Sequence, residues 1–228
     1  MSGGICRRAF SYKEAIMNTD FIELLTHSSI RIKGDVVIYC DPFRIDREYH
    51  DADLVLITHD HFDHFSPEDI ALVSKPDTVY LIPSGMEKQA RKALGKKAMI
   101  LTGDAGESFN FEYTDIDMVP SYNVGKSFHP REAGWVGYLI HIDNKTIYIA
   151  GDTDINDDII NVECDIAMVP VGGKYTMDYK EAADLINQIG CNVAIPTHYG
   201  SVAGDDADGE RFKELVDSSI EVKIIKKY

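Results

Sequence analysis

Short apolar runs broken by turn residues dominate the chain from Phe21 onward, with only a few stretches of helical period. Ser29 to Lys33 alternates, Lys33-Gly34-Asp35 reads as a turn, and Val36 to Tyr39 is β-branched and apolar, which together predict a hairpin. Leu54 to Ile57 is a short apolar strand. Ser66-Pro67-Glu68-Asp69 then opens a helix: Ser66 is placed as N-cap, Pro67 suits the first helical position, and Asp69 can complete a capping box. Val79 to Ile82 predicts a strand, and Ser84 to Leu94 a helix that Gly95 ends.

The second half repeats this grammar. Ile100, Phe109 to Phe111 and Asp117 to Val119 sit in short strands. Trp135 to Ile142 and Thr146 to Ala150 form a hairpin across Asp143-Asn144, and Ile166 to Val169 is a buried strand. Asp178 to Ile189 is amphipathic, with Ala182, Leu185, Ile186 and Ile189 on one face, and Gly190 closes it. Val193 to Pro196 is the next strand, Glu210 to Val216 a last helix and Val222 to Ile225 a last strand. This is too irregular for one doubly wound sheet. Two mixed sheets packed face to face, with helices on both outer faces, accommodate it.

At 228 residues the chain suits a single domain spanning residues 1–228. No apolar run approaches the ~20 residues that span a bilayer, and residues 1 to 20 lack the apolar segment of a secretory signal. Cys6, Cys40, Cys164 and Cys191 are scattered without Cys-x-x-Cys spacing, which suggests small buried side chains in a reducing, cytoplasmic setting. The formal net charge of −15 repels phosphate backbones and anionic membranes, so neither a nucleic-acid nor a membrane partner is expected. The oligomeric state is not legible.

The chemistry lies in Thr58-His59-Asp60-His61-Phe62-Asp63-His64. The cluster follows an apolar strand and precedes a capped helix, so it occupies a tight loop at a strand end. His59 and His61, two apart, point the same way in extended chain, while Asp63 and His64 turn toward a second point. Imidazole and carboxylate without thiolate suit zinc, manganese or iron, and suggest a catalytic rather than a structural site.

This His-x-His-x-Asp-His motif resembles the signature of the metallo-β-lactamase superfamily. From about Phe21 to Gly200 the chain is similar to its small metal-dependent hydrolases, the branch that includes ascorbate-6-phosphate lactonase, and to the core of N-acyl-phosphatidylethanolamine phospholipase D. The resemblance implies an α/β (α+β) fold, the four-layer αββα sandwich, and a dinuclear site holding two divalent metals, zinc first with manganese or iron acceptable. It implies His59 and His61 at the first metal, Asp63 and His64 at the second, Asp152 of Ala150-Gly151-Asp152-Thr153 between them, and His198 of Pro196-Thr197-His198-Tyr199-Gly200 as last ligand of the second. Asp152 and His198 both follow apolar strands, where an open α/β architecture places its site. The family's remaining first-metal histidine follows the strand ending at Val119-Pro120, and here that place holds Ser121-Tyr122-Asn123. Either His129, six residues beyond Asn123, reaches back to the metal, or Asn123 or water fills the place. His129 is favoured, because a catalytic zinc usually has three protein ligands.

Three further segments bear on the site. Thr26-His27-Ser28 resembles a Gly-His-Ser segment of this branch, and His27 could face substrate or pack as a structural histidine. Gly172-Gly173-Lys174 suggests a close backbone approach, with Lys174 placed to meet a substrate anion or simply solvated. Asp41 sits at a strand end and could support the metal loop. The implied activity is metal-assisted hydrolysis of a small-molecule ester, lactone or phosphoester, with Asp63 and Asp152 in catalytic roles. The competing classes are a metal-dependent nuclease, against which the acidic charge argues, and a metal-binding protein without catalysis.

Overall fold

The computed structural model describes residues 17–226, so the reading of Cys6 lies outside the described residues. The first sheet contains β1 (Ile22–Thr26), β2 (Ser29–Ile32), β3 (Ile38–Cys40), β4 (Ala52–Leu56), β5 (Ser74–Pro83) and β6 (Met99–Gly103), in that spatial order. The pairs β1–β2 and β2–β3 are antiparallel, and the rest are parallel. The hairpin expected at Ser29–Tyr39 is β2–β3, with Ile32 opposite Ile38.

The second sheet is built from β7 (Ser108–Asn110), β8 (Asp115–Pro120), β9 (Val136–Ile142), β10 (Lys145–Ile149), β11 (Ile166–Pro170), β12 (Val193–Thr197) and β13 (Glu221–Val222), again in sequence order across the sheet. Strands β10 to β13 run parallel, while β7 to β10 pair antiparallel. Asp143 and Asn144 join β9 to β10 with φ of 50° and 58°, the pair of positive values that a two-residue hairpin turn requires. β11 and β12 are buried along their whole length, which is why they read as unbroken apolar runs rather than alternating ones.

Ile30, Ile38, Leu56 and Leu81 of one sheet meet Tyr138, Ile140, Ile147, Met168 and Ile195 of the other in a shared core. On the outer face of the first sheet lie α1 (Pro67–Val73) and α2 (Glu87–Leu94), through Ile70, Val73 and Ala90. On the outer face of the second lie α3 (Tyr179–Ile189) and α4 (Asp208–Leu215), through Ala182, Leu185, Ile186 and Phe212. The result is the expected four-layer αββα sandwich. Among the described residues, no helix is long and apolar enough to cross a membrane.

Three local expectations differ. The helix expected from Ser84 starts as a 3-10 turn, Ser84–Met86, before α2. Asp69 does not reach back to the α1 N-cap backbone. Its carboxylate accepts from the Ser66 hydroxyl at 2.6 Å and from Ile45 N at 2.8 Å, tying the helix to the preceding loop. The strand expected at Val222 to Ile225 is only Glu221–Val222, because the chain then crosses over: Ile225 packs on the inter-sheet core and Lys226 bridges Leu24 of the first sheet.

One consequence of this topology positions the site. Relative to one another, β1, β3 and β4 run in one sense in the first sheet, and β8, β10, β11 and β12 do so in the second. The segments leaving the C-terminal ends of these strands carry His27, Asp41, His59 to His64, Asn123 to His129, Asp152 and His198.

Candidate metal centre

Those segments bring two groups of four side chains together: His59, His61, His129 and Asp152, and beside them His27, Asp63, His64 and His198. Within each group the candidate donor atoms all lie within 4.8 Å of one another.

In the first group, His61 Nδ1 is 3.1 Å from His59 Nε2 and 3.1 Å from His129 Nε2, and Asp152 Oδ2 is 3.2 Å from His129 Nε2. Edges of this length suit nitrogens about 2.0–2.1 Å from one tetrahedral ion. The far side of each ring fixes which nitrogen faces inward. Thr58 Oγ1 lies 2.9 Å from His59 Nδ1 and donates its own proton to Asp41 Oδ2 at 2.7 Å, so it accepts from the imidazole. His129 Nδ1 donates to the Tyr175 carbonyl at 3.1 Å. Both inward Nε2 atoms therefore carry lone pairs, the tautomer that a metal needs.

Asn123 does not enter either group. Its amide donates to the same Tyr175 carbonyl at 2.6 Å, and its backbone N–H to His129 O at 2.8 Å, so it braces the loop that carries His129. His129 is 2% exposed at φ +54°.

In the second group, His64 Nδ1 donates to Asp41 Oδ2 at 2.7 Å, leaving Nε2 toward Asp152 Oδ1 at 3.3 Å. His198 Nε2 is 3.1 Å from Asp152 Oδ2, and His27 Nε2 is 3.3 Å from Asp63 Oδ2. Asp152 thus stands between the groups, one oxygen toward His64 and the other toward His129 and His198. These atoms are close, yet they lack the alignment of hydrogen bonds. Nine buried side-chain nitrogen or oxygen atoms among the described residues have no hydrogen-bond partner, and six of them belong to His27, His64, Asp152 and His198. Buried polar atoms are rarely left so, and at least one on each of these four side chains fits a donor aimed at an ion rather than at a neighbour.

His27 is placed otherwise than at a substrate. It occupies the tip of the β1–β2 hairpin, at φ +46°, where a turn normally meets water, yet it is fully buried. Its carbonyl accepts from His198 N at 3.1 Å, and its ring lies 3.9 Å from that of His198. A histidine in this backbone region is costly, by on the order of 1–3 kcal/mol, and such costs cluster at functional sites. Lys174 is exposed, with its ammonium over the Tyr175 ring at 4.7 Å, and does not line the cavity described below. The close backbone approach expected at Gly172 is present: a Cβ there would run into the His198 carbonyl oxygen.

Titration follows from the geometry. Burial, with His64 adjacent, holds His59 well below the usual imidazole range; burial and His129 lower His61. Burial takes His27 to about 4 despite its contact with Asp63. Burial pushes Asp152 upward, but His198 and His64 outweigh it and hold the carboxyl well below its ordinary value. Asp63 is lowered against burial by His27 and His64. His64 goes up, because Asp152 and Asp41 overcome its burial, and Asp41 goes up through its own burial. At neutral pH His27, His59 and His61 are thus neutral and Asp63 and Asp152 ionised, while His64 carries a proton where a cation is wanted. Asp41 accepts from Thr58 N, Thr58 Oγ1 and His64 Nδ1, and so supports both groups.

A cavity of about 250 Å³ opens on the site, lined by His61, Asp63, His129, Asp152 and His198 and walled by Phe62, Phe128, Tyr175 and Val202.

Residues 21–198 match the family model of the beta-lactamase superfamily domain. A metal-dependent hydrolase of Pyrococcus abyssi is 29% identical over 226 residues, covering 90% of this chain and 96% of that protein. The crystal structure of a metal-dependent hydrolase from Parabacteroides distasonis superposes with a TM-score of 0.76 at 32% identity, covering 90% of this chain and 93% of that one. A metallo hydrolase from the archaeon Ignicoccus hospitalis shares the fold, with a TM-score of 0.75 at 23% identity over 90% of this chain and 94% of that one.

Proposed function

Since the chain belongs to the beta-lactamase superfamily domain family and is a metal-dependent hydrolase, we propose that it works with two divalent ions and opens a small-molecule ester, lactone or phosphoester. The observation that supports this reading is the pair of His/Asp groups with Asp152 between them. In the reading, His59, His61 and His129 hold the first ion and Asp63, His64, His198 and His27 the second, while Asp152 serves both. A thiolate-free set of imidazoles and carboxylates is compatible with zinc, manganese or iron.

When bound, such ions acidify water and polarise the scissile carbonyl or phosphoryl group. The chain's own residues do the rest. Asp63 lines the cavity and, held ionised, is placed to take a proton from the attacking water. Asp41 and Thr58 keep His59 and His64 in the ligating tautomer. Tyr175 O does the same for His129. The aromatic walls set carbon surface beside the reacting bond.

Elemental analysis tests the reading. The purified chain is expected to hold two ions, His61→Ala to lose metal and Asp152→Ala to disrupt the pair, with hydrolysis of a panel of lactones, thioesters and phosphodiesters abolished by chelation. Full occupancy in both variants would overturn the ligand assignment.

A further inference from the structure

The cavity names a substrate class within that hydrolase reading, on which this inference rests. Four of its lining residues are not in either His/Asp group, namely Phe62, Phe128, Tyr175 and Val202, and all four present carbon surface. No lysine or arginine lines it. The nearby cations lie outside this lining, and the exposed Lys174 holds its ammonium over the outer Tyr175 ring at 4.7 Å. Lys126 pairs with Asp154 and donates to Thr176 O, Arg131 pairs with Asp158, and Arg44 donates to Ser201 while lying over the Phe43 ring. Among the residues that line the cavity, a phosphate or carboxylate on the recognised arm would find no counter-charge beyond the metal centre itself.

The walls are tied to the ligands. Phe62 lies between His61 and Asp63, Phe128 precedes His129, and Tyr175 holds His129 through its carbonyl. Phe128 and Tyr175 meet edge to face at 4.8 Å between ring centres, and Phe62 meets Phe43 in the same way at 5.9 Å. Phe62 is nonetheless 66% exposed and Phe128 42%. Large aromatic surface left in water beside a reactive centre is what a ligand's apolar part would cover. The volume, about 250 Å³, falls below the about 300–1,000 Å³ of drug-sized sites, so the arm is small, about one ring or a short alkyl chain.

We propose that the substrate is an uncharged acyl compound, an ester or lactone, whose small apolar arm lies between Phe62, Phe128, Tyr175 and Val202 while its carbonyl faces the His/Asp groups. Water adds to that carbonyl and the alkoxide leaves with a proton, giving a carboxylic acid and an alcohol, or the hydroxy acid of an opened lactone. No oxidant or second substrate is needed.

Hydroxamates test this without knowing the natural bond, because they carry a metal-binding head on a chosen arm. Binding of acetohydroxamate, phenylacetohydroxamate and 4-phosphonophenylacetohydroxamate to the zinc-loaded protein would be measured by calorimetry. The phenyl arm is expected to tighten binding about ten- to a hundred-fold over the methyl arm, from the apolar area it buries, and the phosphonate to remove that gain. Phe62→Ala with Phe128→Ala should cut the phenyl-over-methyl gain to about threefold or less; both side chains are exposed enough for the fold to tolerate their loss. Equal binding of methyl and phenyl arms, or tighter binding of the phosphonate, would overturn the substrate class while leaving the hydrolase reading intact. Failure of all three to bind metal-loaded protein would count against the metal site, and this inference would fall with it.

Discussion

Replacing Asp41 with asparagine probes how far the metal centre depends on a residue outside both groups. One Asp41 oxygen accepts from Thr58 N at 2.8 Å; the other accepts from the Thr58 hydroxyl and from His64 Nδ1, each at 2.7 Å. Asparagine can keep the first contact, but its NH2 then faces two donors. Each charge-assisted bond lost is worth about 1.5–3 kcal/mol. Part of this is recovered if Thr58 rotates its hydroxyl and His64 moves its proton to Nε2. That second adjustment places a proton on the atom that faces Asp152 at 3.3 Å and blocks it as a ligand. Thr58, once turned, also holds His59 less well. Removing such an outer partner typically costs ten- to a hundred-fold in metal affinity, about 1.4–2.7 kcal/mol, and the loss should be larger at the second ion than at the first. Competition with a fluorescent zinc chelator reads both affinities, and thermal melts of metal-free protein separate the effect from simple unfolding. If both affinities stay within about twofold of wild type in a folded variant, the argument that Asp41 sets the tautomers is wrong.

Three other outcomes are expected. His27→Ala should bring metal content from two ions toward one, at a fold cost within the usual 0.5–3 kcal/mol; retention of both ions in plasma emission analysis would remove His27 from the second group. His129→Ala should cost the first ion and at least tenfold in hydrolysis, while Asn123→Ala, which only loosens the loop, should cost less of each; the reverse ranking would restore Asn123 as ligand. Metal-free protein should lose stability on acidification from about pH 6.5 to about 4, because His27 protonates near 6.5 when unfolded but near 4 when folded, so the unfolded chain binds more protons in that window. This lowered value corresponds to about 3 kcal/mol, and urea melts showing no greater acid sensitivity than the His27→Ala protein would contradict it.

Much of the centre was legible because its residues sit just beyond recognisable strands. His59 to His64, Asp152 and His198 each follow an apolar run that is a strand in the structure, and parallel strands send their ends to one place. His129 was harder. It lies in the segment between β8 and β9, where no periodicity limits how far the chain can fold back, so its spacing from Asn123 left both residues open. His27 is hard to place for a different reason: a hairpin tip is ordinarily solvated, and this one is buried by distant segments, the His198 loop together with Phe43, Asp63 and His64. The tautomer control by the Tyr175 carbonyl is a main-chain contact and leaves no mark on residue choice. The strand pattern likewise places a strand at Val222 but does not show that the chain leaves the sheet there for β1.

The origin of the two groups has a consequence for how the molecule is assembled. His27, His59, His61, Asp63 and His64 stand on loops of the first sheet, whereas His129, Asp152 and His198 stand on loops of the second. Each group therefore draws on both halves, and neither half alone can close a coordination shell. The affinity for an ion is then also an affinity of one sheet for the other, exerted at the rim where their loops meet. During synthesis the last donor emerges only with residue 198, so loading waits until the halves have docked. Stripping the ions should act as a local denaturant, loosening amide protection at the loop end of the sandwich while the apolar interior between the sheets stays closed.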